Sequence, residues 1–281
     1  EPIYMTIDQI IANALLEDIG DGDHTTLSCI PAHFKGKAKL LVKESGILAG
    51  VTIAENIFKT INPEIQFLGI LPDGAEIKSG DIAFYVEGSS ASILTAERLA
   101  LNFMQRMSGI ATATHELVSI IKGTNAKILD TRKTTPLLRE FEKMAVRIGG
   151  GHNHRFGLYD MILIKDNHID FAGGIRNAIL SAKKYLSEKN KDLKIEIEAR
   201  SIADVNEILS IGTIDRILLD NFTPEKMKEA VLLINNRFET EASGGITKEN
   251  IRSYAETGVD YISLGCITHH INSLDLSLKA V

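Results

Sequence analysis

The feature that most limits the possible folds is a strand–loop–helix pattern repeated through the second half of the chain. Short apolar runs with strand character alternate there with amphipathic helical patterns. The predicted strands are Lys127 to Asp130, Met161 to Lys165, Lys194 to Ala199, Arg216 to Asp220, Phe238 to Ser243 and Tyr261 to Gly265. The predicted helices are Gly174 to Leu186, Ile202 to Ser210, Pro224 to Ile234 and Lys248 to Thr257. This alternation implies right-handed parallel crossovers, and hence a wound sheet or an α/β barrel.

The first part of the chain follows a different pattern. A helix is predicted from Ile7 to Asp18, and from Lys37 to about Glu87 short strand-like runs are separated by turns. The segment Val51 to Thr60 is predicted to form a helix among these strands. A long helical pattern runs from Ile93 to Ile121, with a break expected at Ser108-Gly109. These signals predict a mostly antiparallel α+β unit of ordinary domain size.

Composition and charge exclude several classes of function. The 281 residues are 44% hydrophobic, which suits one large or two modest domains. A formal net charge of -6 argues against a broad nucleic-acid surface. No apolar run reaches membrane-spanning length, and the first residues lack the pattern of a signal peptide. Cys29 and Cys266 lie far apart and suggest no disulfide framework, so we expect a reducing, cytoplasmic setting.

Most of the predicted strands of the second half end in an ionisable or a glycine-rich group. In a βα barrel the chemistry lies at these carboxyl ends. The ends read Asp130-Thr131-Arg132-Lys133, Lys165-Asp166, Glu196-Ile197-Glu198, Asp220-Asn221, Glu241-Ala242-Ser243-Gly244-Gly245 and Gly265. Together with the segment after three consecutive glycines, they supply a basic cluster: Arg132, Lys133, His154, Arg155 and Lys165. This cluster predicts a pocket for a small, multiply charged anion.

The glycines and acidic residues predict two further parts of a site. Ser243-Gly244-Gly245 and Gly265 fit a phosphate site, because glycines let backbone N–H groups and a helix N-terminus approach an anion. His269 and His270 follow shortly after Gly265, and one of them could reach the same phosphate, whereas a solvent-exposed pair is the simpler alternative. Mg²⁺ favours one or two carboxylates with substrate oxygens, which suits Glu198 and Asp220. A phosphorylated sugar with a diphosphate, together with a small polyanion, would satisfy all three parts.

Simpler structural explanations exist for several of these signals. Basic residues after strands are often solvated, and glycines also permit close packing of helices on sheets. His152 and His154 could bind a metal, but no Cys or acidic ligand lies nearby at matching spacing. Asp21 and Asp23 lie in a glycine-rich segment that is more typical of a turn than of a metal site. No GxGxxG follows a strand, which argues against dinucleotide binding.

Segments along almost the whole chain resemble the quinolinate phosphoribosyltransferase family. They are EDIGDGDHTT, AERLALNFMQRMSGIAT, DTRKTTPLLREFEKMAVRIGGGHNHRFGLYDMILIKDNH, IEIEA, ILLDNF, EASGGI and ETGVDYISLG. The strings TRKT, GGGxNHR and LIKDNH are highly specific when they occur together. The resemblance implies an N-terminal α+β open sandwich, residues 1–111, and a C-terminal incomplete parallel α/β barrel, residues 112–281. It also implies a homodimer or an assembly of dimers.

The same resemblance implies a reaction and a set of roles. The reaction is Mg²⁺-dependent, decarboxylating transfer of phosphoribose from 5-phosphoribosyl 1-diphosphate to quinolinate, in NAD biosynthesis. The residues implied for the quinolinate carboxylates are Arg132, His154, Arg155 and Lys165, with Arg98 from the neighbouring subunit. The residues implied around the diphosphate, the ribose and Mg²⁺ are Lys133, Glu198 and Asp220, and those at the phosphate end are Ser243, Gly244, Gly265 and His269. Glu241 fits the family pattern without a clear role, and His152 is assigned none.

Two other functions are compatible with the same scaffold. A relative that transfers phosphoribose to another aromatic acid without decarboxylation should lack part of the arginine, histidine and lysine set, which is complete here. A catalytically silent anion-binding relative would have no need for acidic groups facing a phosphate. The presence of Lys133, Glu198 and Asp220 therefore favours an enzyme.

Overall fold

The structure is a computed structural model that describes residues 5–281. The chain divides into two compact units, and each is described here by itself. The first unit comprises the chain up to His115 with Thr134–Gly150 and Cys266–Val281, and the second comprises Glu116–Lys133 and Gly151–Gly265. Both units are therefore discontinuous in sequence. No helix in the described part of the chain combines the length and the apolar character that crossing a bilayer requires.

The first unit is built on a four-stranded antiparallel sheet. Its elements are α1 (Ile7–Ile19), α2 (His24–Cys29), β1 (Lys35–Val42), β2 (Gly46–Ile47), α3 (Val51–Ile61), β3 (Gln66–Gly69), β4 (Glu76–Ile77), β5 (Ile82–Ser89), α4 (Ser90–Ile120, ending in the second unit), α5 (Arg139–Ile148), α11 (Cys266–His269) and β12 (Leu276–Ala280). The strand order is β12-β1-β5-β3, and β2 pairs with β4 separately. Alternate residues of β1, namely Ala38, Leu40 and Val42, are buried, as expected when one face of a strand packs on a core.

Asp23 forms the N-cap of α2, as its side chain accepts a hydrogen bond from the Thr26 N–H at 3.0 Å. The turn predicted for this segment is therefore followed at once by a short helix that the sequence analysis did not predict. Thr95, on α4, donates to the same carboxylate at 3.1 Å. Asp23 thus has a structural role within the first unit.

The long helix α4 is continuous, so the break predicted at Ser108-Gly109 is wrong. Ser108 is fully buried, and its hydroxyl donates to the Ala49 carbonyl at 3.1 Å and accepts from the Ala49 N–H at 2.9 Å. A side chain at Gly109 would collide with the backbone oxygen of Asn272. These two small residues allow close packing of neighbouring backbone on α4 and do not end the helix.

The second unit contains a six-stranded sheet in which all neighbouring strands are parallel. Its elements are β6 (Lys127–Leu129), β7 (Ile162–Ile164), α6 (Asp166–Ala172), α7 (Ile175–Lys189), β8 (Ile195–Ala199), α8 (Ile202–Ile211), β9 (Arg216–Asp220), α9 (Pro224–Ile234), β10 (Glu239–Ser243), α10 (Ile251–Ala255) and β11 (Tyr261–Ser263). The order is β6-β11-β10-β9-β8-β7, with β6 and β7 at the two edges. The predicted strands and the incomplete parallel α/β barrel are confirmed.

Candidate active site

The parallel register collects most of the predicted site residues at the carboxyl edge of the second unit's sheet. Ser243 on β10 lies beside Asp220 on β9, and Glu198 on β8 lies beside Leu218. The predicted site residues that belong to this unit are Arg132, Lys133, His154, Arg155, Lys165, Glu198, Asp220, Ser243, Gly244 and Gly265. Arg98 and His269 belong to the first unit, where both are exposed.

Three acidic side chains form a cluster of carboxylates at this edge: Glu198, Asp220 and Asp166. Burial raises the pKa of Glu198, and the negative charges of Asp220 and Asp166 raise it further. Burial also raises the pKa of Asp220, and Asp166 adds to that rise. The positive charge of Lys165 acts in the opposite direction on Glu198 and Asp220. Asp166, the first residue of α6, was assigned no role from the sequence.

This cluster of carboxylates fits a bound Mg²⁺. This ion takes few protein carboxylates and completes its coordination with water and substrate oxygens. Glu198 and Asp220 offer such a pair, and a divalent cation would relieve the repulsion that raises the pKa of Glu198. The backbone of Asp166, at the start of α6, acts in the opposite direction and lowers the pKa of Glu198.

Arg132 and Arg155 form a second, basic part of the edge. Burial lowers the pKa of Arg155, and the nearby positive charge of Arg132 lowers it further. The Arg155 guanidinium is held by a hydrogen bond from its Nη1 to the Met161 carbonyl at 3.1 Å. Arg132 and Lys133 are exposed. A half-buried Arg155 beside the positive charge of the exposed Arg132 favours a ligand with more than one negative charge.

The loop that carries His154 and Arg155 is fixed to the end of β6 by a buried carboxylate. Asp130 is fully buried, and its Oδ1 accepts the backbone N–H of His154 at 2.8 Å. Its Oδ2 accepts a short hydrogen bond from the Asn153 side chain. His152 also forms a parallel bridge with Leu129. Asp130 therefore has a structural reason to stand at this strand end.

The glycine segment after β10 differs from the prediction in one respect. Gly244 and Gly245 both have left-handed backbone, with φ of 87° and 65°. A side chain at Gly244 would collide with Asn221, whereas a Cβ at Gly245 would meet nothing within 4 Å. The next helix begins only at Ile251, so the predicted helix from Lys248 is too long. The N–H groups near Gly245 therefore belong to a loop and not to a helix N-terminus.

Below this edge, within the second unit, His154 meets two buried glutamates. Its Nε2 lies 3.0 Å from Glu196 Oε2 and 3.2 Å from Glu241 Oε2, and all three side chains are almost inaccessible. Arg216 Nη1 lies 3.0 Å from the same Glu241 carboxylate and also contacts Glu239. Sequence alternation placed Glu196 and Glu198 on one face of β8, but no local pattern indicated that Glu196 meets His154.

The charges of His154, Glu196 and Glu241 change one another's pKa. Burial opposes the imidazolium of His154, but Glu196 and Glu241 outweigh it and raise the pKa of His154 to about 9. Burial and the charge of Glu241 raise the pKa of Glu196. The pKa of Glu241 is lowered despite its burial, because His154 Nε2 lies 3.2 Å from its carboxylate. His154, Glu196 and Glu241 could in geometry hold a cation, but Arg216 already forms an ion pair with Glu241, and a charged His154 ring forms ion pairs with both glutamates.

Models of a protein family match nearly the whole chain. The quinolinate phosphoribosyl transferase N-terminal domain matches residues 23–108, and the C-terminal domain of the same family matches residues 110–279. The chain is 44% identical over 295 residues to quinolinate phosphoribosyltransferase [decarboxylating] 1b of Nicotiana tabacum, covering 99% of this chain and 84% of that protein.

Bacterial relatives give the same result. The chain is 40% identical over 275 residues to the probable nicotinate-nucleotide pyrophosphorylase [carboxylating] of Bacillus subtilis, covering 98% of this chain and 93% of that protein. Among solved structures, NadC from Streptococcus pyogenes is similar with a TM-score of 0.93 and 39% identity, and each chain is covered completely.

Proposed function

This chain belongs to the quinolinate phosphoribosyltransferase family, and we propose that the strand ends of its second unit carry out the reaction of that family. The enzyme transfers phosphoribose from 5-phosphoribosyl 1-diphosphate to quinolinate, releasing diphosphate and CO₂. The product, nicotinate mononucleotide, is used for de novo NAD synthesis. The reaction is assigned to this edge because one unit carries both the basic pair Arg132 and Arg155 and the carboxylate cluster around Glu198.

Quinolinate is proposed to bind at the basic part of the edge. Its two adjacent carboxylates would remove the repulsion between Arg132 and Arg155 while accepting charge-assisted hydrogen bonds from them. Lys165 supplies a further positive charge, and His154 lies beside Arg155 in the same loop. Binding in this way orients the pyridine nitrogen for attack, which requires positioning more than a general base.

5-Phosphoribosyl 1-diphosphate and Mg²⁺ are proposed to bind at the carboxylate part of the edge. Glu198 and Asp220 would hold the metal, directly or through water, and Lys133 would contact the diphosphate. The residues proposed for the phosphate end are Ser243, Gly244, Gly265 and His269. When bound, Mg²⁺ neutralises negative charge on the departing diphosphate.

The charges of these side chains match the charges that develop during the reaction. Diphosphate leaves the ribose C1 through a state with oxocarbenium character, in which the leaving group gains negative charge and the ring gains positive charge. Lys133 stabilises the first, and the carboxylates of Glu198 and Asp220 stabilise the second or hold the ribose hydroxyls. Attack by the ring nitrogen makes it cationic. The cationic ring accepts the electron pair of the neighbouring C–CO₂ bond, so CO₂ departs, and the carbon that has lost CO₂ takes up one proton to give nicotinate mononucleotide.

A homodimer, or an assembly of dimers, is the second part of the proposal. Arg98 is exposed on α4, remote in sequence from every strand end of the second unit. In an isologous dimer each subunit would supply its Arg98 to the other's site, so two identical exchanges would complete two sites. The cytoplasmic setting stays a prediction.

One assay tests the reaction as a whole. The purified protein with quinolinate, 5-phosphoribosyl 1-diphosphate and Mg²⁺ is expected to release CO₂ and diphosphate in equal amounts, and to stop when EDTA removes the metal. Diphosphate without CO₂, from a different aromatic acid, would show a relative that does not decarboxylate. Binding of both substrates without turnover would show a silent anion-binding protein.

The amides Glu198→Gln and Asp220→Asn are each expected to lower kcat about a hundredfold or more without lowering the free energy of unfolding. Each substitution keeps the shape but removes charge that the transition state requires. Stability should hold, because both carboxylates have their pKa raised by burial and by neighbouring acids. Glu207→Gln, on the exposed face of α8, is a matched control in the same unit. Parallel loss of stability and activity, measured by chemical denaturation and turnover, would instead indicate a structural ion network.

A further inference from the structure

The interior of the second unit's sheet holds charged side chains where such barrels usually have apolar ones. Barrel interiors are mostly filled by Val, Ile and Leu. Here Glu196 on β8 and Glu241 on β10 are fully buried, and both precede a proposed site residue on the same face of their strands. Buried charges are costly unless each is well paired. Two buried glutamates next to the carboxyl edge of the sheet therefore indicate a specific role for these side chains.

The two glutamates converge on one atom. Glu196 Oε2 and Glu241 Oε2 lie 3.0 Å and 3.2 Å from His154 Nε2. Because Glu241 Oε2 also accepts a hydrogen bond from Arg216, it is an acceptor, and Nε2 must carry hydrogen whether the ring is neutral or charged. Arg216 Nη1 lies 3.0 Å from the same Glu241 Oε2, so the acceptor is itself held in place. The orientation of the imidazole ring is thus set by side chains of two strands, β8 and β10.

The other ring nitrogen of His154 contacts the backbone of the loop that carries His154 and Arg155. The Arg155 N–H donates to His154 Nδ1 at 2.7 Å, so the backbone of Arg155 is tied to this ring. The side chain of the same Arg155 reaches the Met161 carbonyl at 3.1 Å. A continuous chain of contacts therefore runs from Arg216 through Glu241 and His154 to the backbone of Arg155.

We infer that Glu241 and Glu196 are positioning residues for quinolinate binding, which act through His154 on Arg155. The inference rests on the proposed function, because it assigns Arg155 to the quinolinate carboxylates. Neither glutamate touches the substrate. Their effect is to hold the His154 ring in one orientation, and so to fix the backbone from which the Arg155 guanidinium extends.

The neighbouring Glu239 provides a matched comparison. It pairs with the same Arg216 at 3.0 Å, the distance at which Glu241 pairs, and it lies two residues earlier on the same strand. Glu239 also accepts a hydrogen bond from Tyr261 Oη at 3.2 Å, and it forms ion pairs with Arg216 and Lys194. Glu239 is partly exposed and Glu241 is buried, so Glu239 controls for the loss of an Arg216 ion pair, and the His154→Ala background described below tests the role through His154.

Calorimetric titration of each substrate into the full-length protein tests the inference. Glu241→Gln is expected to weaken quinolinate binding about tenfold, the effect of one charge-assisted hydrogen bond, and to leave 5-phosphoribosyl 1-diphosphate affinity within twofold. Glu239→Gln should leave both affinities within twofold. In a His154→Ala background, Glu241→Gln should cause no further loss, because its effect passes through the missing ring. Glu196→Gln changes the other partner of Nε2 and carries the same prediction if Glu241→Gln does not fold.

Three outcomes would overturn the inference. They are an unchanged quinolinate affinity in Glu241→Gln, an equal loss of both substrates, and a further loss when Glu241→Gln is added to His154→Ala. A wild-type protein that releases no CO₂ from quinolinate would instead defeat the proposed function. Wild-type turnover combined with an unaffected Glu241→Gln would defeat the positioning role alone.

Discussion

Arg155→Ala is expected to weaken quinolinate binding about a hundredfold to a thousandfold, since the bidentate hydrogen bonds of a guanidinium to a carboxylate are among the strongest in proteins. The affinity for 5-phosphoribosyl 1-diphosphate should stay within twofold. The side chain is half-buried and fixed to the Met161 carbonyl, so its guanidinium needs little further ordering when the acid binds. Calorimetry with each substrate separately measures the two affinities.

Two variants make this result interpretable. Arg155→Lys keeps a positive charge but lacks the planar fork, so it should recover part of the lost affinity. Arg200→Ala removes an arginine of the same unit that is exposed and pairs with Asp170 at 3.2 Å, and it should leave quinolinate binding unchanged. An equal loss of both substrates in Arg155→Ala would show that the basic part of the edge does not belong to the acid alone.

The architecture of the second unit could be predicted because its signals are local. A buried parallel strand reads as a short apolar run, and a helix start reads as a cap followed by a suitable first turn. The helix Pro224–Ile234 has the predicted limits, with Thr223 accepting the Lys226 N–H and proline in the first turn. The strand Arg216–Asp220 also has its predicted limits. Polar residues at such strand ends were therefore correctly placed on one edge.

The elements and contacts that sequence reasoning missed depend on distant parts of the chain. The strand Leu276–Ala280 has little pattern of its own and is defined by pairing with β1, near the other end of the chain. Gly109 reads locally as a helix break, and only the approach of Asn272 shows why a glycine is needed. Glu196 and Glu241 likewise look like any acids at strand ends, until the fold brings His154 onto both.

The role of Arg98 in its partner's site leads to an expected recovery of activity from two inactive variants. Arg98→Ala and Lys165→Ala should each be nearly inactive as homodimers, because each removes a positive charge proposed for the quinolinate carboxylates. In a mixed dimer, one site receives both defects and the other receives neither. If subunits exchange at random in an equal mixture, half of the dimers are mixed and each has one sound site. About a quarter of wild-type activity should then return.

A second mixture separates exchange across the interface from any unspecific effect of mixing. Lys165→Ala and Arg155→Ala are both proposed to damage the site of their own subunit, so every site in their mixed dimers carries one defect. This mixture should stay inactive, whereas Arg98→Ala with Lys165→Ala recovers. Mass spectrometry of differently tagged subunits confirms that exchange has taken place. If Arg98→Ala with Lys165→Ala also stays inactive after confirmed exchange, Arg98 acts in the site of its own subunit or in no site, because an arginine that crosses a two-fold interface must complement.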